Sequence, residues 1–180
     1  METCLIFVEE MQEMRNLFLI GFMGCGKSSV ARHLSKVKGM SLVEMDQMLE
    51  DEAGMSITDL FAQYGETHFR DMETELIKDI QSKESQVVSC GGGVVLRPQN
   101  VEEMKKSGKV IWLAAKPETI LMRIKDDEKR PLLQGNKNLA SIEKMMRSRQ
   151  KNYESAADFI IWTDGKRIED ICNEIIAYLN

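Results

Sequence analysis

The stretch Gly21-Phe22-Met23-Gly24-Cys25-Gly26-Lys27-Ser28 fits the pattern G-x-x-x-x-G-K-[ST]. It follows the apolar run Leu17-Phe18-Leu19-Ile20 and precedes a helical pattern from Ser29 to Lys38. Strand, glycine-rich loop and helix in that order make the phosphate-binding P-loop, a motif that belongs to an α/β sheet. The glycines let the backbone wrap tightly enough for its N–H groups to converge on phosphate oxygens, helped by the positive end of the following helix. Lys27 would reach the β- and γ-phosphates, and the Ser28 hydroxyl would ligate Mg²⁺. Gly24, Cys25, Gly26, Lys27, Ser28 and Ser29 are therefore the nucleotide-binding stretch, with Ser29 read as a spectator at the helix start.

Short apolar runs bounded by turn residues recur at Leu17–Ile20, Ser41–Met45, Gln86–Cys90, Lys109–Ala114 and Asp158–Thr163, with helical patterns between them. That alternation predicts a parallel α/β sheet. Consecutive apolar positions such as Val110-Ile111-Trp112-Leu113 suit strands covered on both faces. Two helices are expected between the second and third strands, from Ile57, Leu60, Phe61 and Tyr64 and then from Phe69, Met72, Leu76, Ile77 and Ile80. A last amphipathic helix carries Ile168, Ile171, Cys172, Ile175, Ile176 and Leu179, and packing suffices to explain it. Residues 125–138 are charged, contain glycine and are almost devoid of apolar side chains, which reads as a mobile lid.

At 180 residues and 43% hydrophobic the chain suits one domain, and its net charge of −5 argues against nucleic acid as a main partner. Cys4, Cys25, Cys90 and Cys172 are scattered without a C-x-x-C pair, so they read as free thiols in a reducing cytoplasm. Residues 1–14 hold the apolar Leu5-Ile6-Phe7-Val8 among glutamates, with neither a basic start nor a cleavage site, so no export signal is expected. Translation from Met11 or Met14 would make them a dispensable extension. No run approaches the roughly 20 apolar residues needed to span a bilayer.

In open parallel sheets ligands gather at the carboxyl ends of the strands. There the second run ends in Glu44 and Asp46, whose spacing in an extended strand puts both on one face. They can hold Mg²⁺ through water or orient a substrate hydroxyl; capping of a helix begun by Gln47-Met48-Leu49-Glu50 is the equal alternative. Gly91-Gly92-Gly93 follows the third run, where glycine allows positive φ and close approach to a ligand, or simply a flexible turn. On a helical wheel Glu73 falls inside an apolar stripe and Arg70 at its edge, while Arg149 lies near the centre of a stripe with Ile142, Met145, Met146 and Tyr153. Buried arginines need an anionic partner, so two of them in an acidic nucleotide-binding protein suggest capture of a second small anion. Arg130, just before Pro131, is the candidate to meet the transferring phosphoryl group when a lid closes, and Arg123 a candidate for stacking on adenine. Cys25, near a helix N-terminus, reads either as a redox-sensitive thiol or as a variable loop position.

Taken together, these stretches resemble shikimate kinase over nearly all of residues 15–180. The segments that carry the likeness are the P-loop, the carboxylate pair ending at Asp46, Gly65-Glu66-Thr67-His68-Phe69-Arg70 with Glu73, the three-glycine turn, Arg130-Pro131-Leu132-Leu133, and Arg149 four before Tyr153. The resemblance implies a three-layer P-loop kinase fold, with a five-stranded parallel sheet in the order 2-3-1-4-5, flanking helices and a mobile lid. It further implies transfer of the γ-phosphate of ATP to the 3-hydroxyl of shikimate, with Mg²⁺. No surplus apolar helix face is evident, so a cytoplasmic monomer that needs neither nucleic acid nor membrane is expected. By the same resemblance Lys27, Asp46 and Arg130 are catalytic. Asp46, Arg70, Gly91, Gly92, Gly93 and Arg149 bind the acceptor, with Glu73 orienting Arg70; Arg123 and Arg130 join the P-loop around the nucleotide. The family's commonest pattern places aspartate where this chain has Glu44, so a metal contact from Glu44 is expected through water, alongside Ser28.

A gluconate kinase would share sheet and P-loop without requiring the acceptor residues together. A GTP-dependent switch fits less well: Asp51-Glu52-Ala53-Gly54 follows a helical stretch, and Asn136-Lys137-Asn138-Leu139 lacks the aspartate that reads guanine.

Overall fold

The computed structural model describes residues 15–125 and 138–180. Strands β1 (Asn16–Ile20), β2 (Ser41–Glu44), β3 (Gln86–Ser89), β4 (Gly108–Ala114) and β5 (Phe159–Trp162) form one sheet in the order β2-β3-β1-β4-β5. Every adjacent pair runs parallel. This is the expected topology, and β1, whose loop begins the nucleotide site, lies at its centre.

The burial pattern explains why the runs read as continuously apolar. All five residues of β1 are buried, and side chains alternate between faces. Leu17 and Leu19 enter one core with Val30, Ala31 and Leu34 of α1 (Lys27–Lys38) and Ile171 and Ile175 of the C-terminal helix. Phe18 and Ile20 enter the other, with Phe69, Leu76, Ile77 and Ile80 from the long helical segment and Met104 beyond β3. The polar exception is Asn16, fully buried, whose side-chain amide donates to Lys83 O at 2.7 Å while its Oδ1 accepts from Gln86 N at 3.0 Å. It ties the start of β1 to the turn that opens β3.

All five strands match the expected runs to within one residue at either end, but β2 does not carry on to Asp46, where the carboxylate pair was expected to share a strand face. It stops at Glu44, and Met45 and Asp46 already belong to α2 (Met45–Ala53). Met45 and Leu49, four apart on one helix face, are both fully buried, and seating that pair favours helix over continued strand. Glu44 and Asp46 are therefore not neighbours on one strand face: Glu44 closes the strand, and Asp46 occupies the first helical turn. Asp46 is not the cap either, because Glu44 holds that position without a side-chain capping bond.

The two helices expected next run together as α3 (Ile57–Gln81), broken at Gly65, where φ is 81° and ψ is 166°. The remaining helices are α4 (Pro98–Ser107), α5 (Pro117–Ile124), α6 (Leu139–Ala156) and α7 (Ile168–Leu179). No helix among the described residues is long and apolar enough to cross a membrane. The proposed extension 1–14 lies outside the described residues, as does the proposed lid apart from its ends, Lys125 and Asn138.

Candidate active site

At the carboxyl ends of the strands the P-loop borders a cavity of about 440 Å³, walled by Gly24 to Val30 and reached by Glu44, Asp46, Ser89 and Arg123. Gly21, Gly24 and Gly26 all have positive φ, which the loop's tight wrap requires of residues without a Cβ. The Lys27 ammonium donates to the carbonyls of Gly21 at 2.9 Å and Phe22 at 3.2 Å, so it lies across the loop. Ser28 Oγ is 3.2 Å from Ser89 Oγ at the end of β3. Ser29 borders the cavity but is exposed.

Cys25 is 1% exposed, and Gly21 approaches its sulfur so closely that a Cβ there would stand 2.8 Å away. That burial favours the reading of Cys25 as a loop position over that of a redox-sensitive thiol. Arg123 contributes from α5. Its Nη1 donates to Gly24 O at 3.2 Å, Cys25 O at 3.3 Å and Thr163 Oγ1 at 3.2 Å, and its Nη2 to Thr163 O at 3.2 Å. The guanidinium edge is thus committed to loop carbonyls, a role sequence reasoning did not anticipate.

Glu44 lies at the cavity's edge with its Oε1 3.0 Å from Arg32 Nη2, and that oxygen is buried without a well-formed hydrogen bond. Among the described residues no group of three acidic, histidine or cysteine side chains surrounds a common point. One carboxylate, one hydroxyl and open space do fit Mg²⁺, which keeps several waters and takes further oxygens from substrate phosphates.

A second cluster adjoins this cavity. Arg70 and Glu73 project from α3, 7% and 0% exposed, and are paired to each other; Arg70 also meets Glu66 at 3.0 Å. Burial pushes the Glu73 carboxyl above its ordinary range, against the pull of Arg70 and with a further push from Asp46. Among the described residues Glu73 Oε1 has no hydrogen-bond partner. A Cβ on Gly91 would stand 2.6 Å from that oxygen and 3.0 Å from Asp46 Oδ1, so this glycine marks where the two carboxylates converge. A Cβ on Gly93 would collide with the Arg70 guanidinium, and one on Gly92 would come within 3.6 Å of Met23 N in the P-loop. None of the three has positive φ. Close approach, and not unusual backbone conformation, is what the turn requires of glycine.

Arg149 completes the cluster from α6: it is 7% exposed, donates to Gly92 O at 3.4 Å, and lies 5.9 Å from the Phe22 ring. The wheel readings of Arg70, Glu73 and Arg149 as inward are thus borne out, while Arg147 on the same helix as Arg149 is exposed. The structure brings Lys27, Ser28, Glu44, Asp46, Arg70, Gly91–Gly93, Arg123 and Arg149 to one end of the sheet. Arg130 lies outside the described residues. Sequence reasoning missed Ser89 and Thr163, each a hydroxyl at the end of an apolar run, as well as Ile168 and Ile171, which wall the cavity from a helix explained by packing alone. His33 and His68 take no part: one is half-buried on α1, the other exposed on α3.

Comparison with known proteins follows the same outline. A family model described as shikimate kinase matches residues 23–180. A shikimate kinase of Thermodesulfovibrio yellowstonii is 42% identical over 163 residues, covering 91% of this chain and 94% of its own. Among solved structures, a shikimate kinase from Acinetobacter baumannii in complex with shikimate superposes with a TM-score of 0.88 at 30% identity, covering 92% of this chain and 93% of that one. A gluconokinase from Sinorhizobium meliloti reaches a TM-score of 0.55 at 14% identity, a likeness of fold alone.

Proposed function

The chain belongs to the shikimate kinase family, and from that premise we propose how its own residues divide the work of the reaction. The enzyme phosphorylates shikimate with ATP as co-substrate, giving shikimate 3-phosphate and ADP on the route to aromatic amino acids. The observation that carries the assignment of residues is the turn Gly91–Gly93. Its first glycine faces Asp46 and Glu73, its second leans on the P-loop, and its third faces Arg70. An acceptor held by Arg70 and Arg149 would therefore lie against the loop that holds the phosphates.

In this reading the N–H groups of Gly24, Gly26 and their neighbours bind the β- and γ-phosphates, and Lys27 swings from the loop carbonyls to the transferring group. Arg123, fixed by its edge, offers a flat face to adenine. Arg70 and Arg149 grip the acceptor carboxylate, with Glu73 holding Arg70 in place. Asp46 orients the 3-hydroxyl for in-line attack on the γ-phosphorus and accepts its proton. Phosphoryl transfer has a loose transition state, so positioning and charge neutralisation outweigh base strength. Ser28 and, through water, Glu44 would hold Mg²⁺, which when bound neutralises phosphate charge. Arg130 would bring a further positive charge to the γ-phosphate from a lid spanning about 125–138.

A coupled assay of ADP release tests this directly, comparing shikimate, gluconate and no acceptor. Strong stimulation by shikimate alone is expected; nucleotide binding without that stimulation would overturn the acceptor assignment and leave only the P-loop. The same proposal takes the enzyme as a cytoplasmic monomer, consistent with the buried free thiols of Cys25, Cys90 and Cys172. Light scattering on the eluted protein checks the monomer.

A further inference from the structure

We propose that Tyr153 is a positioning residue for the acceptor, its hydroxyl setting the Gly92–Gly93 peptide in register with Arg149. The inference rests on the acceptor site proposed above. Tyr153 follows Arg149 by one helical turn, so both leave α6 on the same face. The Tyr153 hydroxyl donates to Gly92 O, the carbonyl that Arg149 Nη1 also reaches at 3.4 Å. One backbone oxygen thus receives a buried cation and a neutral hydroxyl. It belongs to the turn whose flanking glycines touch Asp46, Glu73 and Arg70.

The two donors differ in stiffness. Arg149 is long and its contact is stretched. The Tyr153 ring is 2% exposed and stacked on Trp112 of β4, with centroids 5.5 Å apart and planes 15° from parallel. The sheet therefore fixes the ring, and the ring fixes the hydroxyl. Phenylalanine would fill the same space and stack as well, so packing does not account for the oxygen. Its polar role does: a buried phenol needs an acceptor, and here it takes a carbonyl belonging to the turn. A trans peptide is planar, with C=O and N–H opposed. Drawing Gly92 O toward α6 turns the Gly93 N–H to the far side and holds the turn's orientation. Burial also pushes the phenol well above its ordinary range, so it remains a neutral donor.

The test is Tyr153→Phe in the full chain, with Arg149→Lys as the control for the site itself. Loss of one hydrogen bond to the turn should raise KM for shikimate about three- to tenfold. KM for ATP should stay within about twofold, and the melting temperature should fall by only about 2–4 °C, because the ring stack survives. Calorimetric Kd for shikimate should weaken by the same factor as KM. Trp112→Leu, which loosens the ring without removing the hydroxyl, should give a smaller rise with the same split between substrates. Unchanged KM for shikimate in Tyr153→Phe, or parallel rises for both substrates, would overturn the inference. If Arg149→Lys also leaves KM for shikimate unchanged, the acceptor site itself is misassigned; if it raises KM while Tyr153→Phe does not, only the role of Tyr153 falls.

Discussion

The two halves of the site are built on different principles. The nucleotide half is made largely of backbone, within one loop between β1 and α1, and its lysine lies across carbonyls of that same loop. The acceptor half is made of side chains from α2, α3 and α6 converging on three glycines. A backbone cradle binds any polyphosphate and tolerates change in its variable positions. A side-chain clamp assembled over long range selects one acceptor, and each member can be removed without unmaking the cradle. Substitutions in the second half should therefore separate acceptor kinetics from nucleotide affinity.

The sharpest separation is expected from Asp46→Asn. Asparagine keeps the shape while losing the charge and the capacity to take a proton, and general-base contributions amount to about a hundred- to ten-thousandfold in rate. We expect kcat to fall by that order while calorimetric affinity for ATP survives. Near-normal turnover would remove Asp46 from the chemistry. Next comes Arg149→Ala. A hydrogen bond to a charged group contributes about 1.5–3 kcal/mol, so KM for shikimate should rise about ten- to hundredfold with little change for ATP. Equal effects on both substrates would point to a damaged fold and blur the distinction between the halves.

The turn supplies a graded test. Alanine at Gly93 or Gly91 would drive a Cβ into the Arg70 guanidinium or to 2.6 Å from Glu73 Oε1. Those are the ends of flexible side chains, so the fold yields and the clamp moves. A rise in KM for shikimate of about tenfold is expected, corresponding to about 1–2 kcal/mol of imposed repacking. Gly92→Ala meets its nearest atoms at 3.6 Å and 3.7 Å, ordinary contact, and should change KM by about twofold or less. The reverse order, with Gly92→Ala worst, would show that the turn needs glycine for backbone freedom instead of proximity.

The same division governs what sequence reasoning could see. The loop is contiguous, so its glycines, Lys27 and Ser28 were legible as a motif, and the strands were legible because both faces of β1 are covered. Arg70, Glu73 and Arg149 were legible as charges inside apolar helical stripes, a conflict that only a partner resolves. What stayed hidden depends on long-range contact. Nothing local announces that Arg123 meets Thr163, that Ser28 meets Ser89, or that Tyr153 reaches Gly92. The end of β2 was misplaced for a related reason. Leu42 to Met45 contains no turn residue, and only burial of Met45 and Leu49 against the rest of the fold decides that a helix starts there.

The smallest expected effect lies on the border between the halves. Glu44 closes β2 at the cavity's edge, and its carboxylate is 3.0 Å from Arg32, whose side chain is 62% exposed. A pair with one member this exposed contributes about 0.2–1 kcal/mol. Arg32→Ala should therefore raise the Mg²⁺ concentration for half-maximal rate by no more than about fivefold, leaving KM for shikimate alone. Mn²⁺ titration of the ADP complex, followed by electron paramagnetic resonance, reads the same shift without turnover. A null result would make Arg32 a solvated charge and leave Glu44 to find its own orientation. A rise well beyond fivefold would mean that Arg32 engages the phosphates directly, and the nucleotide half would then depend on a side chain outside its loop.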